Sequence, residues 1–267
     1  MKQLAVNIFK FYIFINIHVA LSVVSLYLIF NSDVNKDYIA FLFFSTIAGY
    51  NFIRFFNFGG NRFFIKRFNA SYKYIVFSTI FISSLLSLYY YLQLPHIVQF
   101  ALIPLFVISF FYNYDFKFAP VLKLRNNGIV KILSVSLVWS GMVTGVPALQ
   151  RDWNLQTDVF SFLWVFLYVL MLTLSFDQRD LYIDKTDLRT IPQLYRKKLF
   201  HIYFLLVLSL LILSYFIFSG KELFTGMLVI VVSAFLGYRS NEYKSFYYTA
   251  FWIEALPVFW LIVRLIT

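Results

Sequence analysis

Four of the chain's twelve carboxylates fall within eleven residues: Asp177, Asp180, Asp184 and Asp187. The first three are spaced i, i+3, i+7, so on a helix they share one face. Like charges one turn apart repel, and at a helix C-terminus the backbone dipole adds to the cost. Such a set asks for a cation among its members. A hard divalent ion with oxygen ligands, Mg²⁺, is the natural candidate, because it shares a few carboxylates with substrate phosphates and keeps several waters. The alternative is a solvated mixed-charge loop, since Arg179, Lys185 and Arg189 lie among the acids. Spacing alone leaves both open.

Basic residues supply the second kind of chemistry. Arg54 follows Asn51 by about one helical turn, and Arg62, Lys66 and Arg67 come just after it. Lys123 and Arg125 form a further group behind Tyr112 and Tyr114. Guanidinium forks and ammonium groups bind a diphosphate directly, where a carboxylate needs a bridging metal ion. The same residues also serve as simple topology signals. His18, His96 and His201 stand far apart without metal-ligand spacing, and each is expected to be structural. Glu254 is a lone carboxylate inside an apolar stretch, where such residues face an interior cavity or a partner.

These groups must be held by elements that the composition defines. Of 267 residues, 61% are hydrophobic against about 45–50% in ordinary globular domains, and 13% are charged against about 25%. The mean hydropathy is +0.76. A water-soluble protein of this size cannot cover that much apolar surface. Phe 35, Tyr 20, Gly 9, Pro 6 and Cys 0 exclude disorder, collagen and a disulfide scaffold. Apolar segments longer than the ~10-residue alternating strands of a membrane barrel exclude that fold as well. The reading is an all-α, polytopic membrane protein, one transmembrane domain over residues 1–267 with the lipid bilayer as its solvent. No removable signal is evident, and the inner membrane of a bacterium is the expected setting.

Nine apolar segments are expected to span, at about 8–30, 38–57, 73–92, 96–113, 129–150, 158–176, 200–219, 222–238 and 246–266. With the N-terminus in the cytosol, nineteen of the 23 Lys and Arg residues fall on the cytosolic side, leaving Lys36, Arg151, Lys221 and Arg264 opposite. That asymmetry accounts for the net charge of +11 without nucleic acid as a partner. It also places the acid run and the basic loops after the second, fourth and sixth spans on one face.

The run Asp177-Gln178-Arg179-Asp180-Leu181-Tyr182-Ile183-Asp184, followed by Leu188-Arg189-Thr190-Ile191-Pro192, resembles the second aspartate-rich motif of the UbiA superfamily of intramembrane prenyltransferases. The nine-span count and the motif's place after the sixth span are similar too. The resemblance implies transfer of an isoprenoid chain from a prenyl diphosphate to an aromatic or other hydrophobic acceptor. It implies Asp180, Asp184 and Asn51 as catalytic residues, Asp177, Asp180 and Asp184 as ligands of Mg²⁺, and Arg54, Arg62, Lys66, Arg67, Lys123, Arg125, Arg179 and Arg189 around the diphosphate. The family's first motif has an Asn followed by three acids. Here Asn51 is present, but Phe52, Phe55 and Gly59 stand at the acid positions, and no Asp or Glu occurs between Asp37 and Asp115. Fewer metal ions are therefore expected than in relatives with both motifs. A relative that binds a lipid phosphate without catalysis, and a small transporter, are the alternatives.

Overall fold

Lipid offers no hydrogen-bond partner to a bare peptide group, so a chain this apolar must close its backbone bonds within each segment. The computed structural model describes residues 2–56, 72–113, 124, 127–151, 154–181, 188–241 and 243–266, and their regular structure is helical throughout. In chain order the helices are α1 (Lys2–Phe14), α2 (Ile17–Phe30), α3 (Lys36–Phe56), α4 (Lys73–Gln93), α5 (His96–Asn113) and α6 (Gly128–Ser140). They continue with α7 (Leu155–Arg179), α8 (Ile191–Tyr195), α9 (Leu199–Ile217), α10 (Gly220–Tyr238) and α11 (Leu256–Ile266). Helix α6 runs on through a π turn at Gly141–Gly145 into Val146–Ala148, and a second π turn at Tyr248–Ile253 leads towards α11.

Six helical stretches among the described residues are long and apolar enough to cross a membrane: Lys73–Gln93, Gly128–Ala148, Gln156–Arg179, Ile191–Ile217, Gly220–Tyr238 and Tyr248–Ile266. A seventh span results if Val6–Phe14 and Ile17–Phe30, bent by 61° at their junction, are one unit. The expected nine therefore become six or seven. Helices do form at the second and fourth expected places. However, the apolar part of α5 is the short His96–Tyr112, and α3 carries Ser45, Thr46, Asn51 and Arg54 from its middle onwards. The first expected segment, 8–30, is not one straight helix either. It breaks at Asn16, whose φ of 62° is left-handed, a conformation Asn tolerates better than a branched residue.

Helix α2 packs against α3, against α11 and against the first π turn. Helix α3 pairs with α4, α6 with α7, and α7 with α9 and α10. Two π turns shift the backbone register and leave carbonyls that need donors. Polar side chains of α2 and α3 and the residues next to them supply these. Asn31 Nδ2 donates to the Val143 carbonyl at 2.9 Å and the Tyr38 hydroxyl to that of Met142 at 2.6 Å. At the second π turn His18 Nε2 lies 2.9 Å from the Phe251 carbonyl, and the Ser22 hydroxyl donates to that of Glu254.

The helices enclose an aromatic core. Trp164 stacks on Tyr168 with centroids 4.8 Å apart and packs on Trp260 at 5.1 Å and Phe30 at 5.2 Å. Both polar tips are satisfied inside: Trp164 Nε1 donates to Ser214 Oγ at 2.8 Å, and Tyr168 shares a hydrogen bond with Ser233 at 3.0 Å. At the end of the bundle marked by the start of α7, Arg151 pairs with Asp158 at 2.5 Å and Arg264 with Glu222 at 2.8 Å. Two of the four basic residues outside the cytosolic set are thus held by acids.

Candidate functional site

The opposite end of α7 carries the acid run. Asp177 lies in the last turn, 1% exposed, and its Oδ1 accepts from Lys131 Nζ at 2.5 Å. Lys131 comes from the first turn of α6, which packs along α7. The helix ends at Arg179, so Asp180 already has non-helical dihedrals of −91° and 6°. The expected face shared by Asp177, Asp180 and Asp184 therefore does not continue past Asp177, and Asp184 lies outside the described residues.

Asp180 is 4% exposed and is met by its own neighbour. Arg179 Nε donates to Oδ1 at 2.9 Å and its Nη2 to Oδ2 at 3.1 Å, a two-pronged pair. The same guanidinium donates through Nη1 to the Thr249 hydroxyl in the second π turn. Its carbon lies 5.2 Å from the Phe176 ring centre and 5.0 Å from that of Phe246. Cation–π contact of this kind offsets part of the cost of burying the charge. Gln178 Oε1 accepts from the Tyr203 hydroxyl of α9 at 2.9 Å. The run binds the end of α7 to α6, α9 and the second π turn.

A close backbone approach sets the neighbouring loop. Asn127 caps α6, its Oδ1 accepting from the amides of Ile129 at 3.0 Å and Val130 at 3.2 Å. The next residue, Gly128, has no side chain, and a Cβ there would lie 2.5 Å from Thr190 Cα and 2.8 Å from the Leu188 carbonyl oxygen. Between those two residues Arg189 has φ 50° and is exposed. The Thr190 amide then donates to Gln193 Oε1 at 2.9 Å, and Pro192 sits in the first turn of α8. Residues 188–190 are clamped onto α6 one turn before Lys131.

Asn51 stands at the same end of the bundle, 1% exposed in α3. Its Nδ2 donates to the Ile15 carbonyl at 2.7 Å and the Ile47 carbonyl at 2.8 Å, while Oδ1 accepts from Asn16 Nδ2 at 3.0 Å. Both functional ends of the amide thus serve the break between α1 and α2. Phe14, just before that break, stacks on Phe246 at 5.7 Å, the ring that also covers Arg179. Asn51 and the acid run are joined through this chain of contacts.

Arg54 belongs to the last turn of α3, but its side chain lies outside the description, as do Arg62, Lys66, Arg67, Lys123 and Arg125 as a whole. Residues that spacing did not single out complete the site: Lys131, Thr249, Tyr203, Asn16 and the pair Tyr12–His18. Tyr12 and His18 Nδ1 are 2.6 Å apart, and the Phe251 carbonyl facing Nε2 only accepts. In the neutral ring this places the His18 proton on Nε2 and makes Tyr12 the donor to Nδ1. His18 is structural here, as expected. No local signal marked Lys131. Only the pairing of α6 with α7 brings it to Asp177.

As placed, Asp177 Oδ1 accepts from Lys131 and both Asp180 oxygens accept from Arg179, so among the described residues these acids do not present a free carboxylate pair to magnesium, and Asp184 lies outside the described residues. Among the described residues no group of three or more His, Asp or Glu is gathered to hold a metal ion. Compared with models of protein families, with curated proteins and with solved structures, the chain matches none.

Proposed function

We propose that this multi-pass membrane protein is a UbiA-like prenyltransferase that takes an isoprenoid chain from a prenyl diphosphate at its cytosolic face and passes it to a hydrophobic acceptor. One observation carries the reading: the Asp177–Asp180 run, Asn51 and a set of cations converge at one end of a bundle whose interior is apolar. A prenyl chain belongs in such an interior and its diphosphate at such an end. In the reaction the allylic C–O bond breaks, the electron pair leaves on the diphosphate, the acceptor bonds to the carbon, and the acceptor's proton is lost. The residues of the basic end would bind and orient the leaving group, and the surrounding aromatic walls would keep water from the cationic carbon.

A second reading is favoured by the ion pairs on Asp177 and Asp180. A chain whose acids are closed by its own cations is suited to holding a lipid diphosphate without turning it over. One experiment separates the two. Purified protein is incubated with a panel of prenyl diphosphates and a total membrane lipid extract. Release of diphosphate with a new prenylated lipid supports transfer, binding without release supports the second reading, and the absence of both overturns the prenyl-diphosphate reading.

A further inference from the structure

Asp177 and Asp180 bring two negative charges to the end of α7, and Lys131 and Arg179 bring two positive charges to within 2.5 and 2.9 Å of them. Both carboxylates are buried. Among the described residues, a divalent ion entering beside them meets two carboxylates each already paired with a cation, and Mg²⁺ dehydrates reluctantly. Displacing Arg179 would cost its two bonds to Asp180, its bond to Thr249 and its place against Phe176 and Phe246. The freed guanidinium would then lie buried beside a dication. The end of α3 that carries Asn51 offers no compensating carboxylate, because no Asp or Glu occurs between Asp37 and Asp115.

Resting on the prenyl-diphosphate reading, we infer that Lys131 and Arg179 stand where a divalent ion would, so that the chain binds a diphosphate without magnesium and Lys131 is the residue that meets it. Of the two cations Lys131 is the reachable one, its side chain 18% exposed against 6% for Arg179. An ammonium is a compact charge with three donors and takes a phosphate oxygen while staying beside its carboxylate. Arg179 is a positioning residue: it neutralises Asp180 from inside and ties the run to the second π turn. Exposed Arg189 is brought to the same face, because its neighbours Leu188 and Thr190 rest on Gly128, one turn before Lys131.

The test uses the full-length purified chain in lipid nanodiscs, with geranylgeranyl diphosphate as ligand and, separately, Mn²⁺ alone as a paramagnetic stand-in for magnesium. The expected result is equal diphosphate affinity with Mg²⁺ and with EDTA. Lys131→Met should weaken it at least about tenfold, and Lys131→Arg should largely keep it. No Mn²⁺ site should disappear in Asp180→Asn. Diphosphate binding that requires Mg²⁺, or a Mn²⁺ site lost in Asp180→Asn, overturns the inference. The comparison of Mg²⁺ with EDTA needs no variant, so poor folding of Lys131→Met does not blunt it. Absence of diphosphate binding in both conditions sinks the function reading, and the Mn²⁺ titration still decides whether the cations have displaced the metal.

Discussion

Gly128 and Thr190 meet backbone to backbone: a Cβ on Gly128 would stand 2.5 Å from Thr190 Cα and 2.7 Å from its nitrogen. A backbone atom cannot rotate aside as a side-chain tip can. The contact joins the first turn of α6 to the segment entering α8, and so fixes the turn of α6 from which Lys131 reaches Asp177.

Gly128→Ala should therefore be poorly tolerated, with a loss of about 2 kcal/mol or more in unfolding free energy. Gly141→Ala is the control. Its added Cβ would lie 2.8 Å from Leu105 Cδ2, a flexible tip, and alanine is the better helix former. Its stability should stay within about 1 kcal/mol of the wild type. Thermal unfolding of both variants in one detergent checks the difference, and equal losses would mean that residues 188–190 move freely off α6.

Arg189 has φ 50°, a conformation that costs a residue with a Cβ about 1–2 kcal/mol and glycine almost nothing. Arg189→Gly should raise stability by up to about 1 kcal/mol once the greater freedom of the unfolded chain is counted. If the guanidinium also meets the diphosphate, the same variant should bind the ligand less well. Higher melting temperature with weaker binding is the expected pair of results. A lower melting temperature would show that the side chain, not the backbone, holds this turn.

The class of fold was legible from bulk properties, because a chain with 61% hydrophobic and 13% charged residues has one available solvent. The places of the helices were legible too, since each apolar segment ends at polar or chain-breaking residues. Their form was less so. Apolar residues continue across Asn16, and a single left-handed residue leaves no trace in hydropathy, so the 61° bend went unread. The π turns at Gly141–Gly145 and Tyr248–Ile253 change the register of a helix without changing its composition. At the site, Asp177 and Asp180 were singled out by like-charge repulsion, which rightly demanded a cation. The cation beside Asp177 is Lys131, 46 residues away in sequence and indistinguishable there from a topology charge.

Arg179 and Asp180 are both buried, so each depends on the other more than a surface pair would. Arg179→Met leaves a buried carboxylate and should cost about 3–5 kcal/mol. Asp180→Leu leaves a buried guanidinium and should cost a similar amount, whereas the double variant should lose much less than the sum. A double-mutant cycle read by thermal or denaturant unfolding should give a coupling of at least about 2 kcal/mol. Additive losses would show that the pair is incidental and that Thr249 and the aromatic rings hold Arg179 alone.

Sidedness can be read directly, since the chain has no cysteine. Thr157, next to the start of α7, and Lys197, just before α9, are both exposed and lie at opposite ends of the bundle. In intact cells an impermeant maleimide should label Thr157→Cys and not Lys197→Cys. The reverse pattern would place the acid run outside the cell, away from any cytosolic diphosphate.

Asn51 is the sharpest test of what the end of α3 does. Its amide makes three bonds, two as donor and one as acceptor, and all three go to the chain itself. Asn51→Ala would leave the Asn16 amide and the Ile15 carbonyl buried without these partners, at about 1–3 kcal/mol for each unsatisfied group. Asn51→Asp keeps the acceptor for Asn16 but removes both donations and adds a charge where burial is nearly complete. It should therefore destabilise at least as much as Asn51→Ala, although aspartate is the closer match in shape. A residue kept for orienting a substrate oxygen would behave differently: Asn51→Ala would lose ligand binding at wild-type stability. Melting curves and diphosphate titrations on the same two variants decide between these outcomes, and stability is the property expected to fall.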